Sequence, residues 1–230
     1  MITKLSLIVL LLFFTTEVKA KENKTISVTI IPLWGNEKLN INKIYNELNT
    51  VKINIKTLKF YISTFKTLKK GQVAYSKKNS FHLIDLANKK SLTWDLIKAG
   101  KKQFDEINFQ LGVDSLTNES GARGGDLDPT KGMYWSWQSG YINFKLEGSL
   151  EENGKKINFN YHLGGYQNRF NSIQTIRLKV KHTNVIQIGF DLKAFINGVN
   201  LKANPKVMSP SLKSVELSKL ISQCFRIING

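Results

Sequence analysis

Apolar and polar positions alternate with a period of two through most of this chain, which is the signature of strands with one buried face. Ile26 to Ile31 alternates and then runs apolar, predicting a first strand that Pro32 ends or places at an edge. Val51, Ile53 and Ile55 alternate, as do Leu58, Phe60 and Ile62, but the two sets are out of phase. That shift predicts a bulge between Ile55 and Leu58. Ser80 to Leu86 predicts a strand with Phe81, Leu83 and Asp85 on one face and His82, Ile84 and Leu86 on the other. Phe104 to Leu111 continues the pattern. Tyr134 to Leu146 reads as one long strand, with Met133, Trp135 and Trp137 on a shared face.

Glu151-Glu152-Asn153-Gly154 is a hairpin turn. A returning strand carries Ile157, Phe159 and Tyr161 on one face and His162 on the other. Ile173 to Val180 and Val185 to Leu192 predict two more strands, joined through His182-Thr183-Asn184 in an exposed turn. Short strands joined by Gly, Asn and Lys turns predict an all-β fold, a β-sandwich of antiparallel strands with long loops. Residues 203–212 hold two of the four prolines and read as a linker. Val215, Leu217, Leu220, Ile221, Phe225 and Ile228 predict a short amphipathic helix at the C-terminus. The expected organisation is a signal peptide over 1–20, a β-sandwich domain over 21–202, and a linker with its helix over 203–230.

The signal peptide rests on Lys4, the apolar run Leu5 to Phe14, and Val18-Lys19-Ala20 as a cleavage site. The run is too short for a transmembrane segment, which needs about 20 apolar residues. The expectation is a periplasmic or secreted protein after the signal peptide is removed. At 41% apolar residues, the chain of 230 can build a core. Its formal net charge of +17 would attract polyanions. The lysines are scattered, however, and only Arg123, Arg169, Arg177 and Arg226 are arginines, so no nucleic-acid partner is expected. Cys224 is the only cysteine, which excludes an internal disulfide, and its apolar neighbours predict a buried thiol.

Residues 111–148 concentrate the candidate chemistry. Asp114, Asn118, Asp126 and Asp128 bracket a glycine-rich loop. Carboxylates on a loop suit calcium, although the spacing is not that of an EF-hand, and the same side chains can pin the loop by capping backbone N–H groups. No nucleophile elbow, zincin, P-loop or dinucleotide motif occurs, so no enzyme is expected.

This stretch also carries a family resemblance. G-V-D-S-L-T-N, followed by G-D-L-D-P-T-K-G-M-Y-W-S-W-Q-S-G-Y, resembles the core signature of the MbnP-like proteins. Leu58 to Ser63, Phe81 to Asp85 and Phe159 to Gly165 fit in the expected order. The resemblance implies an exported copper-binding protein that holds copper as Cu(I) and serves copper acquisition or handling. It implies histidine ligands beside a tryptophan that a partner di-haem oxidase modifies in some members. Carried onto this chain, the imidazole is His162 and the oxidisable indole is Trp135 or Trp137. Relatives carry a histidine near the end of the first strand, where this chain has Ile31-Pro32-Leu33-Trp34. Met133 is a thioether donor and His82 a further imidazole, both by chemistry alone, since soft Cu(I) accepts either. Two other readings stay open. One is a non-metal binding module with an aromatic platform of Trp135, Trp137, Tyr134 and Tyr141 for a glycan or peptide. The other is a calcium-stabilised structural domain.

Overall fold

The computed structural model describes residues 25–47, 50–77, 79–96, 103–137, 140–181 and 183–229. The expected signal peptide and His182 lie outside the described residues. In chain order the strands are β1 (Ile26–Trp34), β2 (Glu37–Lys38), β3 (Ile44–Glu47), β4 (Val51–Lys69) and β5 (Gln72–Ser76). Then come β6 (Phe81–Asp85), β7 (Thr93–Leu96), β8 (Glu106–Leu111), β9 (Tyr134–Trp135) and β10 (Gly140–Glu152). The last are β11 (Lys155–Gly164), β12 (Gln174–Lys179), β13 (Val185–Asp191), β14 (Lys206–Val207) and β15 (Phe225–Asn229). Three short α-helices are interspersed: α1 (Ser115–Glu119), α2 (Leu192–Asn197) and α3 (Leu212–Ser222).

The strands form two sheets. The smaller runs β15-β13-β1-β2, with β7 also on β1. The larger runs β12-β8-β4-β10-β11-β14, with β3, β5 and β6 along β4 and β9 on β10. The 19-residue β4 is shared by five neighbours in succession, and the larger sheet curls around it into a half-barrel. The inward faces of both sheets meet in one core. There the Phe190 ring lies 5.3 Å from Phe60 and 4.9 Å from Phe225. Each such ring, fully buried, contributes roughly 1.5–3 kcal/mol of transfer free energy.

The expected bulge is present in β4. Glu147 opposes Thr57 and Gly148 opposes Ile55, which leaves Lys56 as the extra residue. The bulge keeps Ile53 and Ile55 inward before it and Leu58, Phe60 and Ile62 inward after it. It also turns Thr57, Lys59 and Tyr61 to the outward face, where the candidate site lies. Gly148 is required at this crossing, because an added Cβ would stand 2.3 Å from the Asn54 carbonyl oxygen.

Three expectations are corrected, and the one on Pro32 holds in its second form. The sheets are not wholly antiparallel: β1 pairs in parallel with β13, and β11 with β14. Alternation reports which face is buried and carries no information about strand direction. Of the two outcomes expected at Pro32, the strand does not end there, since β1 continues to Trp34, but Pro32 does stand at a local edge. Pro32 is tolerated because β7 partners β1 only as far as Thr29 and β2 only from Leu33, so no ladder needs its missing N–H on that side. The predicted single strand over 134–146 is a hairpin, with Tyr134 opposite Tyr141 and Trp135 opposite Gly140. Last, the C-terminal helix ends at Ser222 and the chain then reverses into β15. Phe225 enters the core from this strand. The apolar run after Cys224 serves both a helix face and a strand, so its period alone could not separate them.

Candidate functional site

On the outward face of the larger sheet lies a second, smaller apolar cluster: Tyr61, Leu83, Val113, Leu127, Met133, Trp135, Tyr141 and Ile142. The loop over 112–133 covers this face, and its polar side chains fix its path. Asp114 caps α1 by accepting from the Thr117 N–H and hydroxyl, both at 2.9 Å. Asn118 is buried, donates to the carbonyls of Val113 and Asp114, and accepts from the Tyr141 N–H at 2.8 Å. Asp126 accepts from the Leu83 N–H at 3.1 Å and pairs with Lys131 at 2.8 Å. Asp128 accepts from the N–H and hydroxyl of Thr130. Those bonds hold its carboxyl below the usual range. A calcium ion on this loop would compete with all of these hydrogen bonds. Tyr61 donates its hydroxyl to the Asp126 carbonyl at 3.0 Å, and burial pushes its pKa well up, so it stays a neutral donor.

Beside this cluster runs a polar row across β4, β10 and β11. The His162 Nε2 lies 2.8 Å from the Glu147 Oε1, and the Thr57 hydroxyl donates to the other oxygen of Glu147 at 2.8 Å. Lys145, directly across from His162, approaches Glu147 at 3.5 Å and donates to the Gly132 carbonyl at 3.3 Å. Lys59 pairs with Asp85 at 3.0 Å and donates to the Lys131 carbonyl. Two lysines therefore tie the end of the covering loop to the sheet.

Burial pushes the His162 imidazole below its ordinary pKa, and the Lys145 charge adds to this against the opposing pull of Glu147. Burial alone would raise Glu147, but the Thr57 and His162 hydrogen bonds together with Lys145 hold it below the usual carboxylate range. The pair at neutral pH is a neutral imidazole beside a carboxylate. A neutral imidazole has one N–H, and Glu147 can only accept it, so Nε2 carries the proton and Nδ1 keeps the lone pair.

The structure brings some of the sequence-named residues together and separates others. Met133 is fully buried in the second cluster next to Trp135. The Trp135 ring lies over Gly164, where an added Cβ would be 2.6 Å away. Gly164 and His162 are two residues apart on β11 and so share a face. Trp137 sits in the hairpin turn, 66% exposed, with its ring 6.0 Å from that of Trp135. The two indoles are neighbours, but one is buried and the other is in solvent. Trp135 also walls a cavity of ≈ 90 Å3 with Tyr141, Tyr166, Phe170 and Pro210. His82 is elsewhere. It faces inward from β6 and stacks on Trp94, with centroids 4.6 Å apart, and burial lowers its pKa. Among the described residues, no three His, Cys, Asp or Glu side chains are grouped to hold a metal. Cys224 is buried and its thiol is pushed up to about 12 by burial.

Sequence reasoning missed Glu147, Thr57 and Lys145. The signal for Glu147 was its outward parity in β10, but its partners depended on register. What the geometry defines is a mostly β, two-sheet protein whose His162 is hydrogen-bonded to Glu147 on the strand face that also carries Gly164, the residue the Trp135 ring covers. The MbnP family profile matches residues 23–209, and the chain belongs to that family. Among solved structures, the chain is similar to MbnP from Methylosinus trichosporium, with a TM-score of 0.54 and 12% identity. The match covers 75% of this chain and 77% of that one, and at this identity it shows the fold alone. A search of curated proteins gave no match.

Proposed function

We propose that this chain binds one copper ion as cargo, with Nδ1 of His162 as the first ligand. The observation that carries this reading is the His162–Glu147–Thr57 chain. Metal-ligating histidines donate their second ring N–H to a carboxylate, which fixes tautomer and orientation and raises ligand basicity. Burial keeps the same imidazole neutral, as a metal ligand must be. Family membership supports copper as the metal. Glu147 faces the proton-bearing nitrogen and belongs to the orienting shell. Met133 and the Trp135–Trp137 pair stand on the same outward face and form the soft, apolar wall of the site. Among the described residues no cluster of three ligating side chains is present, and a two- or three-coordinate Cu(I) needs fewer ligands than a closed multi-imidazole centre.

Of the two indoles, exposed Trp137 is the one that a partner oxidase can reach. Export to the periplasm or beyond is part of this proposal and rests on residues 1–20. No described helix is long and apolar enough to cross a membrane. A second reading, a ring-shaped ligand held against an aromatic surface, is favoured only by the exposure of Trp137, since Trp135 is 7% exposed and forms a wall.

The test is a Cu(I) competition titration of the wild type and of His162→Gln, which retains a donor toward Glu147. The expected loss is at least about tenfold in affinity, or ~1.4 kcal/mol. Equal affinity of the two proteins would remove His162 from the site.

A further inference from the structure

A cleft lies on the side of the molecule where β1 is only partly covered. β7 follows β1 up to Thr29, and β2 joins it at Leu33. Between them opens a cavity of ≈ 690 Å3, walled by the segments around Leu39–Asn42 and Leu86–Leu92. Its volume falls inside the roughly 300–1,000 Å3 of small-molecule sites. Pro32 and Leu39 are buried at its floor. Ile41, Leu86 and Leu92 line it only partly buried, and pack on the main core behind them. These three are apolar groups with unfilled contact area.

The rim is one-sided in charge. Lys38 and Lys89 both line the cleft and both are exposed. Neither forms an ion pair among the described residues. Glu37, next to Lys38, is held by Lys43 at 2.5 Å. Among the described residues, no acidic side chain lines the cleft. An apolar floor beneath two unneutralised ammonium groups is complementary to a molecule with an apolar body and one anionic end.

We infer that this cleft is a binding site for a free single-chain amphiphile with a carboxylate head, its tail lying along Ile41, Leu86 and Leu92 and its head between Lys38 and Lys89. The site is independent of His162 and Trp135. They stand on the outward face of the larger sheet, whereas this cleft follows the margin of β1 in the smaller one.

The test is calorimetry on the full chain with dodecanoate, dodecanol and dodecylammonium, each below its aggregation concentration. Dodecanoate is expected to bind one to one, and dodecanol about tenfold more weakly, a difference of ~1.4 kcal/mol. Dodecylammonium is expected to bind more weakly still. Lys38→Glu with Lys89→Glu removes the preference for carboxylate, and Ala87→Trp, at an exposed lining position, removes binding of all three. Melting curves of the variants establish that they fold. Equal binding of the three probes, binding that survives Ala87→Trp, or no binding by the wild type would each overturn the inference. None of these results bears on copper, which is titrated separately with the His162 variant.

Discussion

The molecule has two apolar regions built on opposite faces of the same curled sheet. The main core is sealed by the second sheet and is made of aliphatic side chains and interlocked phenylalanines. The outward cluster is sealed only by a loop and is made of Tyr61, Tyr141, Met133 and Trp135, with charged and polar groups at its margin. Sheet-on-sheet packing needs no polar partners beyond its own ladders. A loop lid must satisfy its backbone by side chains, and Asp114, Asn118 and Asp126 do this. The same polar margin places a neutral imidazole and a carboxylate together. Among the described residues, the polar row of His162, Glu147, Thr57 and Lys145 therefore stands on the side the loop covers.

The comparison breaks most strongly in the main core. Phe190→Ala is expected to lower stability by ~3–5 kcal/mol in denaturant titration, because a sealed core collapses poorly around the void. In the loop-covered region, Asn118→Ala leaves the Val113 carbonyl and the Tyr141 N–H without their side-chain partner, while the Asp114 carbonyl keeps the residue's backbone N–H. The expected loss is about 2–3 kcal/mol, with hydrogen exchange rising across 112–133 before the main core responds.

Glu147→Gln sharpens the comparison by separating stability from chemistry. The glutamine amide can still meet Thr57, but the carboxylate acceptor that fixes the His162 tautomer is gone. Copper affinity is expected to fall by roughly 10–100-fold, with only a small change in the melting temperature of the metal-free protein. Trp137→Ala should change stability by less than about 0.5 kcal/mol, since the ring is in solvent.

Acid gives a graded effect. His82 and His162 both have lowered pKa values in the folded chain, chiefly through burial. Below the unfolded value of about 6.5, the unfolded chain binds protons that the folded chain resists, so stability falls as pH drops. Glu147 and Asp128, also lowered, add a further loss as pH falls through the carboxylate range. Urea midpoints from pH 8 to 4 are expected to decline in these two windows. A rise on acidification would contradict the assignment of neutral histidines.

Much of this architecture was legible in the sequence. Alternation located β1, β4, β6, β8, β11, β12 and β13, and the phase shift after Ile55 located the bulge. Strand direction was not legible, because parallel and antiparallel partners bury the same face. The turn at Ser136–Trp137 was hidden because the alternation of Met133, Trp135 and Trp137 continues across a chain reversal. At the candidate site, His162 was visible as an outward histidine on a strand. Its partners were not, since Glu147 and Thr57 reach it only through the register of β10 with β11 and with β4 across the bulge.

The central claim is that Glu147 orients His162 so that its Nδ1 binds copper. The most direct measurement is 15N NMR of the histidine ring nitrogens, recorded metal-free and with one equivalent of Cu(I). An Nε2–H tautomer for His162 is expected in the metal-free protein, with a shift confined to its Nδ1 on loading. A His162 that shows the Nδ1–H tautomer, or whose ring signals do not move with Cu(I), would contradict it.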